Sequence, residues 1–169
     1  MIDNLKKCIT EHKAINSYIH NQILDYFNKY ICVGGMPEVV DTYISKNDFN
    51  EVRKIQRRIL KDYVADFGTH LNDDNMVVVD QNAKTKILAT FKSIPIQLAK
   101  ENQKFQYSVI SKNAKGREYK TSIEWLEAYG LISRCYNLKK LELPFESFVN
   151  QDVFKIYIND SGLYIAMLD

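Results

Sequence analysis

Residues 94–136 have the sequence IPIQLAKENQKFQYSVISKNAKGREYKTSIEWLEAYGLISRCY, which carries the clearest structural pattern in the chain. Pro95 is suited to the first turn of a short helix, and a polar turn follows that helix. A longer amphipathic helix is predicted for residues 115–129, and Gly130 ends it. Residues 131–136 favour a strand. Short helix, turn, longer helix and strand follow one another here in the order of a winged helix-turn-helix.

The segments around this stretch complete the unit. A first helix is predicted for residues 81–93, ahead of the short one. Residues 138–143 are expected to return as the second strand of the wing, and residues 154–158 alternate like a further strand. Asp160 belongs to the cap of a final helix at residues 161–168, which is apolar on nearly every side. We therefore expect this last helix to be buried.

The front of the chain is predicted to be helical. A helix begins at Ser17, and residues 34–35, Gly-Gly, end it. Its inward face is predicted to consist of Ile19, Ile23, Tyr26, Phe27 and Tyr30. Pro37 opens the next helix at residues 38–44, and Asp48 caps the longest helix, which runs to about residue 67.

These elements predict a mainly α protein with a small β component, in which an N-terminal helical bundle is followed by a winged helix-turn-helix. We expect a helical subdomain at residues 1–79 and a winged-helix subdomain, with the terminal strand and helix, at residues 80–169. The two could also share one continuous core. Residues 72–75, Asn-Asp-Asp-Asn, are the best candidate for a hinge between them.

Composition narrows the possible functions. The net charge is +2, so no global field favours nucleic acid or a membrane. Three cysteines without a CxxC pair argue against a disulfide framework and for a reducing cytosol. No apolar run reaches the length of a signal peptide or a membrane span, so we expect a soluble cytoplasmic protein with no membrane partner.

Two sets of residues have spacings that a metal site could use. Cys8 and His12 stand one helical turn apart, and Asp62, Asp66 and His70 follow at intervals of four. Two ligands do not make a zinc site, and a glycine at position 68 is expected to end the helix before His70. A solvated face is the simpler interpretation of both sets, so we predict no metal, no cofactor and no catalytic residue in this chain.

Basic residues collect in the second half of the chain. Residues 100–140 contain nine lysines and arginines against four acidic residues. The candidate nucleic-acid contacts are Lys112, Lys115, Arg117, Lys120, Arg134, Lys139 and Lys140. The first four surround the start of the third helix, which reads the major groove in DNA-binding members of this fold. Glu118, Glu124 and Glu127 lie on the same helix and would repel a DNA backbone, so contact with a protein partner remains an alternative.

Six short motifs together resemble a known family. They are Gly34-Gly35-Met36-Pro37-Glu38-Val39-Val40 after Tyr30, Asp62-Tyr63-x-x-Asp66-Phe67, Lys104-Phe105-x-Tyr107-Ser108, Arg117-x-Tyr119, Ile123-x-Trp125-Leu126-x-x-x-Gly130-Leu131-Ile132 and Phe154-Lys155-Ile156-Tyr157-x-x-Asp160-x-Gly162-Leu163. In this order they resemble the DUF4143 region of prokaryotic AAA-type ATPases, over roughly residues 15–169. The resemblance implies that the chain is the C-terminal portion of a larger ATPase, whose nucleotide-binding domain would be its partner. No Walker motif is present, so no catalytic residue carries over.

Two hypotheses of function follow. In the first, the chain is a non-catalytic module of a AAA-type ATPase, and its winged helix couples that ATPase to a DNA or protein partner. In the second, the chain is a stand-alone winged-helix regulator that binds DNA. An enzymatic interpretation ranks below both, because no cysteine has a histidine placed by the sequence to activate it.

Overall fold

The structure, a computed structural model, describes residues 2–71 and 77–169. Its helices are α1 (Ile2–Thr10), α2 (Ser17–Val33), α3 (Pro37–Lys46), α4 (Phe49–Asp66), α5 (Gln81–Leu98), α6 (Tyr107–Ile110), α7 (Gly116–Ala128) and α8 (Ser161–Met167). Its strands are β1 (Thr69–Leu71), β2 (Val77–Val79), β3 (Ile132–Leu138) and β4 (Val149–Ile158). The strands form two antiparallel pairs, β1 with β2 and β3 with β4. The predicted fold class, mainly α with a small β component, is confirmed.

Most helix ends lie where local chemistry places them. Gly34 has a φ of 77° and its backbone N–H donates to the Tyr30 carbonyl, which closes α2. Pro37 begins α3, and the Asp48 carboxylate accepts from the Asn50 N–H at the start of α4. The Asp160 carboxylate accepts from the Leu163 N–H and caps α8 in the same way. These four boundaries were predicted from the sequence.

Pro95 does not open a helix. It lies inside α5, which continues to Leu98. Ile94 and Pro95 are both buried, and the Gln97 side chain accepts a hydrogen bond from the Gln106 N–H at 2.6 Å. Burial on this face offsets the cost of about 3 kcal/mol that a proline imposes on a helix interior. The second helix of the unit is therefore α6, about ten residues later than predicted.

The second strand of the wing also lies later than predicted. Residues 138–143 do not return, and β4 pairs with β3 instead, with Ile132 opposite Ile158 and Leu138 opposite Val149. Phe154 and Ile156 alternate inward along β4 and are buried, whereas Leu141 is exposed. The strand that buries more apolar surface is the one that pairs. The order of α5, α6, α7, β3 and β4 is that of the predicted unit, and its assignment as a winged helix stays a prediction.

The main core lies between α5, α7, β4 and the end of α4. Its largest buried members are Phe67, Ile87, Ile94, Ile123, Leu126, Ile132 and Ile156. The Phe67 ring meets Phe91 and Trp125 edge-on, with centroids 5.4 and 5.5 Å apart. A smaller cluster of Val33, Val39 and Val52 joins α2, α3 and α4. The division of the chain at residue 79 stays a prediction, and the proposed hinge at residues 72–75 lies outside the described residues.

Helices α8 and α2 differ in how well their predicted burial agrees with the structure. The terminal helix α8 packs against α2 and α4 and buries Leu163 and Ala166, which confirms the expected burial of this apolar segment. The predicted inward face of α2 is wrong for three of its five residues, whereas Ile19 and Ile23 are half-buried. Tyr26, Phe27 and Tyr30 are 59%, 54% and 62% exposed, because α2 packs through its C-terminal end, where Val33 is buried.

Candidate nucleic-acid interface

The start of α7 presents three exposed cations. Lys115 is the residue before the first turn of the helix, and Lys112 and Arg117 flank it. Within residues 2–71 and 77–169, none of the three forms an ion pair. Gly116 packs under Tyr107, whose Cε2 would lie 3.2 Å from an added Cβ, and this contact fixes the start of the helix on α6.

Two further candidate cations are engaged with carboxylates. Lys120 lies 3.8 Å from the Glu124 Oε1 on the next turn of α7. The Arg134 guanidinium donates through Nε to Glu127 at 2.9 Å and makes a second bond through Nη2. This hydrogen-bonded pair lowers the pKa of Glu127 and raises that of Arg134. Arg134 therefore holds β3 against the last turn of α7 and offers little free charge to a ligand.

The hairpin of β3 and β4 begins beside the C-terminal turn of α7. Arg134 lies at the C-terminal turn of the helix through its bond to Glu127. A series of ring contacts joins α6 to this hairpin, since Tyr107 meets Phe105 at 5.3 Å, Phe105 stacks on Phe154 at 5.5 Å, and Phe154 lies 5.7 Å from Tyr136. Because Tyr107 also packs on Gly116, these rings connect the first turn of α7 to the middle of the hairpin.

Five exposed cations lie around the start of α7 or directly after β3. A strand rises about 3.3 Å per residue and a helix about 1.5 Å, so β3 from Arg134 to Lys139 and α7 from Glu127 back to Gly116 each span about 16 Å. Lys139 and Lys140 follow β3 directly and are exposed. The set of Lys112, Lys115, Arg117, Lys139 and Lys140 is called the basic end below.

The outer face of the hairpin forms a groove that the sequence analysis missed. Cys135 of β3 stands opposite Lys155 of β4, and Ser133 stands opposite Tyr157. The loop after α5 supplies the facing wall through Asn102 and Lys104, and the cavity between them measures about 320 Å³. The alternation of residues 154–158 was the available signal, since it assigns Lys155 and Tyr157 to the face away from the core.

A second cavity continues this groove. Tyr157 lines both cavities, and the second one, of about 350 Å³, adds Tyr30 of α2 and Tyr164 of α8. Among the described residues, no aspartate or glutamate lines either cavity. The two cavities together are called the tyrosine groove below.

The spacings that suggested metal sites do not survive in the structure. Helix α1 ends at Thr10, and His12 has a φ of 51°, so Cys8 and His12 do not share a helical face. Helix α4 ends at Asp66, so His70 lies in β1 and not one turn further along the helix. In the part of the chain that the structure describes, no three His, Cys, Asp or Glu residues are grouped to hold a metal ion.

Outside positions 1 and 72–76, the chain contains no helix with both the length and the apolar character needed to cross a bilayer.

Comparison with known proteins assigns the chain to a family. A family model described as "Domain of unknown function (DUF8612)" matches residues 24–169. The chain belongs to this family. No curated protein and no solved structure matches it.

The resemblance to the DUF4143 region of AAA-type ATPases is therefore wrong, because the matching family is a different one. The motifs around Gly34 and Asp160, which suggested it, are packed against each other, since a Cβ on Gly34 would collide with the Asp160 carboxylate. In this chain the two motifs mark the place where the ends of α2 and α8 meet. The role in an ATPase was drawn from the resemblance and loses that basis.

Proposed function

We propose that the chain is a non-catalytic module that binds duplex DNA through the basic end. The observation that carries this proposal is a set of exposed cations, with Lys112, Lys115 and Arg117 around the start of α7 and Lys139 and Lys140 directly after β3. Among the described residues these five cations make no ion pair, so their charge is open to an external anion. Exposed lysines and arginines that meet phosphates supply most of the affinity of a protein for a DNA backbone.

Placement on α7 supports duplex DNA as the partner. Three of the cations surround the N-terminal end of a 13-residue helix, and the other two directly follow β3. A helix of this kind fits the major groove of B-DNA while flanking lysines reach the phosphates on either side. The backbone N–H of Phe105 also donates to the Phe154 carbonyl at 2.9 Å, so the segment between α5 and α6 pairs with the hairpin. This hydrogen bond adds a third segment beside the two strands of the hairpin and supports the winged-helix interpretation of the unit.

The proposal is tested by a salt titration. Binding of a short fluorescein-labelled DNA duplex is followed by fluorescence anisotropy, with the chain and with a Lys112→Ala, Lys115→Ala, Arg117→Ala variant. If the three residues each neutralise one phosphate, the slope of log K against log salt should fall in magnitude by about 2.7. The affinity should fall for every duplex sequence, because phosphate contacts carry no sequence information.

A charge-matched variant provides the control. Lys6, Lys61 and Lys92 are exposed, lie on α1, α4 and α5, and form no ion pair within the described residues. Their replacement by alanine removes the same net charge at other places, so it should leave the slope nearly unchanged. Equal losses in the two variants would mean that net charge alone attracts DNA, and unchanged binding by the first variant would remove the basic end as an interface.

A further inference from the structure

The tyrosine groove shares no lining residue with the basic end. We propose that it binds single-stranded nucleic acid, with bases stacked on Tyr30 and Tyr157 and phosphates held by Lys104 and Lys155. This proposal goes beyond duplex binding, because it assigns a different ligand to a different face of the hairpin.

The tyrosine rings that line the groove are accessible to a ligand. Tyr30 is 62% exposed and Tyr157 is 40% exposed, although both line a concave surface. They come from different elements, α2 and β4, and Tyr164 of α8 lies between the same walls. Bases of any identity stack on open aromatic faces, and such platforms are typical of proteins that hold single strands without strong sequence preference.

The lysines of the tyrosine groove keep their positive charge. Lys104 is exposed, and the Lys155 Nζ bonds to the amide oxygen of Gln103 at 3.3 Å and not to a carboxylate. No acidic side chain among the described residues lines the two cavities, so the positive potential of both lysines is retained. A positively charged channel beside aromatic rings is the combination that tracks a phosphate backbone while stacking its bases.

The size and polarity of the two cavities also suit an unpaired strand. The two cavities, of about 320 and 350 Å³, each fall within the range of sites that hold small planar ligands. Asn102 and Asn137 place amide groups in the first cavity, where they can bond to base edges. A duplex keeps its bases stacked inside the helix, so rings in such a groove can reach only the bases of an unpaired strand.

The test measures anisotropy of fluorescein-labelled oligothymidine with the full chain. Tyr30→Leu and Tyr157→Leu keep apolar volume and remove the ring, and each should lower the affinity at least about fivefold. Tyr157→Phe keeps the ring and should retain binding. Tyr18→Leu is the matched control, because Tyr18 lies on the same helix as Tyr30, is 71% exposed and does not line the groove. Thermal unfolding of each variant checks that the fold is kept.

A second readout comes from the cysteines of the chain. Cys135 is exposed and lines the first cavity, whereas Cys8 lies on α1. Bound oligothymidine should slow alkylation of Cys135 and leave that of Cys8 unchanged, as followed by peptide mass spectrometry. If both leucine variants bound oligothymidine as tightly as the parent chain, or if bound oligothymidine left Cys135 unprotected, the proposal would be overturned.

The two proposals fail separately. Duplex binding should depend on Lys112, Lys115 and Arg117 and be indifferent to Tyr30 and Tyr157, and oligothymidine binding should show the opposite dependence. If oligothymidine binding is lost in the lysine variant and kept in both leucine variants, the groove is not the site, whatever the outcome for the duplex.

Discussion

The backbone N–H of Gly35 donates to the Oδ2 of Asp160 at 2.6 Å, across 125 residues of sequence. The other oxygen of the same carboxylate accepts from the Leu163 N–H at 2.7 Å and caps α8. Asp160 is buried, so one side chain both starts the last helix and joins it to the turn between α2 and α3. Gln56 of α4 closes the junction from the other side, since its amide donates to the Val33 carbonyl at 3.0 Å.

Replacement of Asp160 should separate its two roles. Asparagine is a good helix cap but has one acceptor oxygen, so Asp160→Asn should keep the bond to Leu163 and lose the bond to Gly35. Asp160→Ala loses both. We expect destabilisation of about 1 to 2 kcal/mol for asparagine and about 3 kcal/mol for alanine, from urea unfolding curves. Asp152→Asn, on an exposed residue of β4, is the control and should change little. Equal stability of all three variants would show that the junction contributes nothing.

Gly162 should tolerate no side chain. It lies in the first turn of α8, and a Cβ there would collide with the Val33 carbonyl oxygen. Alanine would otherwise favour the helix, so a loss of stability must come from the collision. We expect Gly162→Ala to cost about 3 kcal/mol by urea unfolding.

Gly130 provides the comparison for that variant. Its φ is 74°, but nothing lies within 4 Å of an added Cβ, so Gly130→Ala should cost only about 1 kcal/mol of backbone strain. The reverse order of the two effects would mean that the ends of α2 and α8 are not in close contact.

The bond between Glu127 and Arg134 should make stability depend on pH. The hydrogen bonds from Arg134 lower the pKa of Glu127 below its ordinary value of 4.5, so the folded state binds this proton more weakly than the unfolded state. The stabilisation is therefore present above pH 4.5 and is lost as the pH falls through the lowered pKa.

Glu127→Gln should therefore be less stable than the parent chain by up to about 1 kcal/mol near neutral pH, and the difference should shrink in acid. Urea unfolding at a series of pH values measures this. Glu142→Gln, in the exposed loop after β3, removes one carboxylate in the same way and is the control variant. A difference for Glu127→Gln that stays constant through acid would rule out a contribution from the charge of the carboxylate.

Local signals in the sequence were sufficient to predict most of the helices. Capping residues such as Asp48 and Asp160 and the proline at the start of α3 act within one turn, so their effect can be read directly from neighbouring residues. Pro95 was misread because its place depends on burial of α5 against elements far along the chain, and that burial is not a local property. A strand at residues 154–158 was predicted, but its start at Val149 and its pairing with β3 were missed for the same reason.

The candidate site was only partly accessible to sequence reasoning. Lysines near the start of α7 could be found as a cluster, but the pairing of Arg134 with Glu127 could not, because it needs the path of β3 along the helix. The tyrosine groove joins residues 30, 104, 157 and 164, which no pattern along the chain connects. The shared face of such residues exists only after α2, β4 and α8 have packed together.

The exposed aromatic residues on α2 should contribute little to stability. They recur at helical spacing like a buried stripe, yet Tyr26 and Phe27 are largely exposed. A double variant, Tyr26→Ser with Phe27→Ser, should therefore change the free energy of unfolding by no more than about 0.5 kcal/mol per site. Leu126→Ala, at a fully buried position of α7, should cost about 2 to 5 kcal/mol in the same urea titration. If the serine variant lost as much stability as the core variant, the two rings would have to be buried in solution, and the position of α2 on the rest of the fold would be wrong.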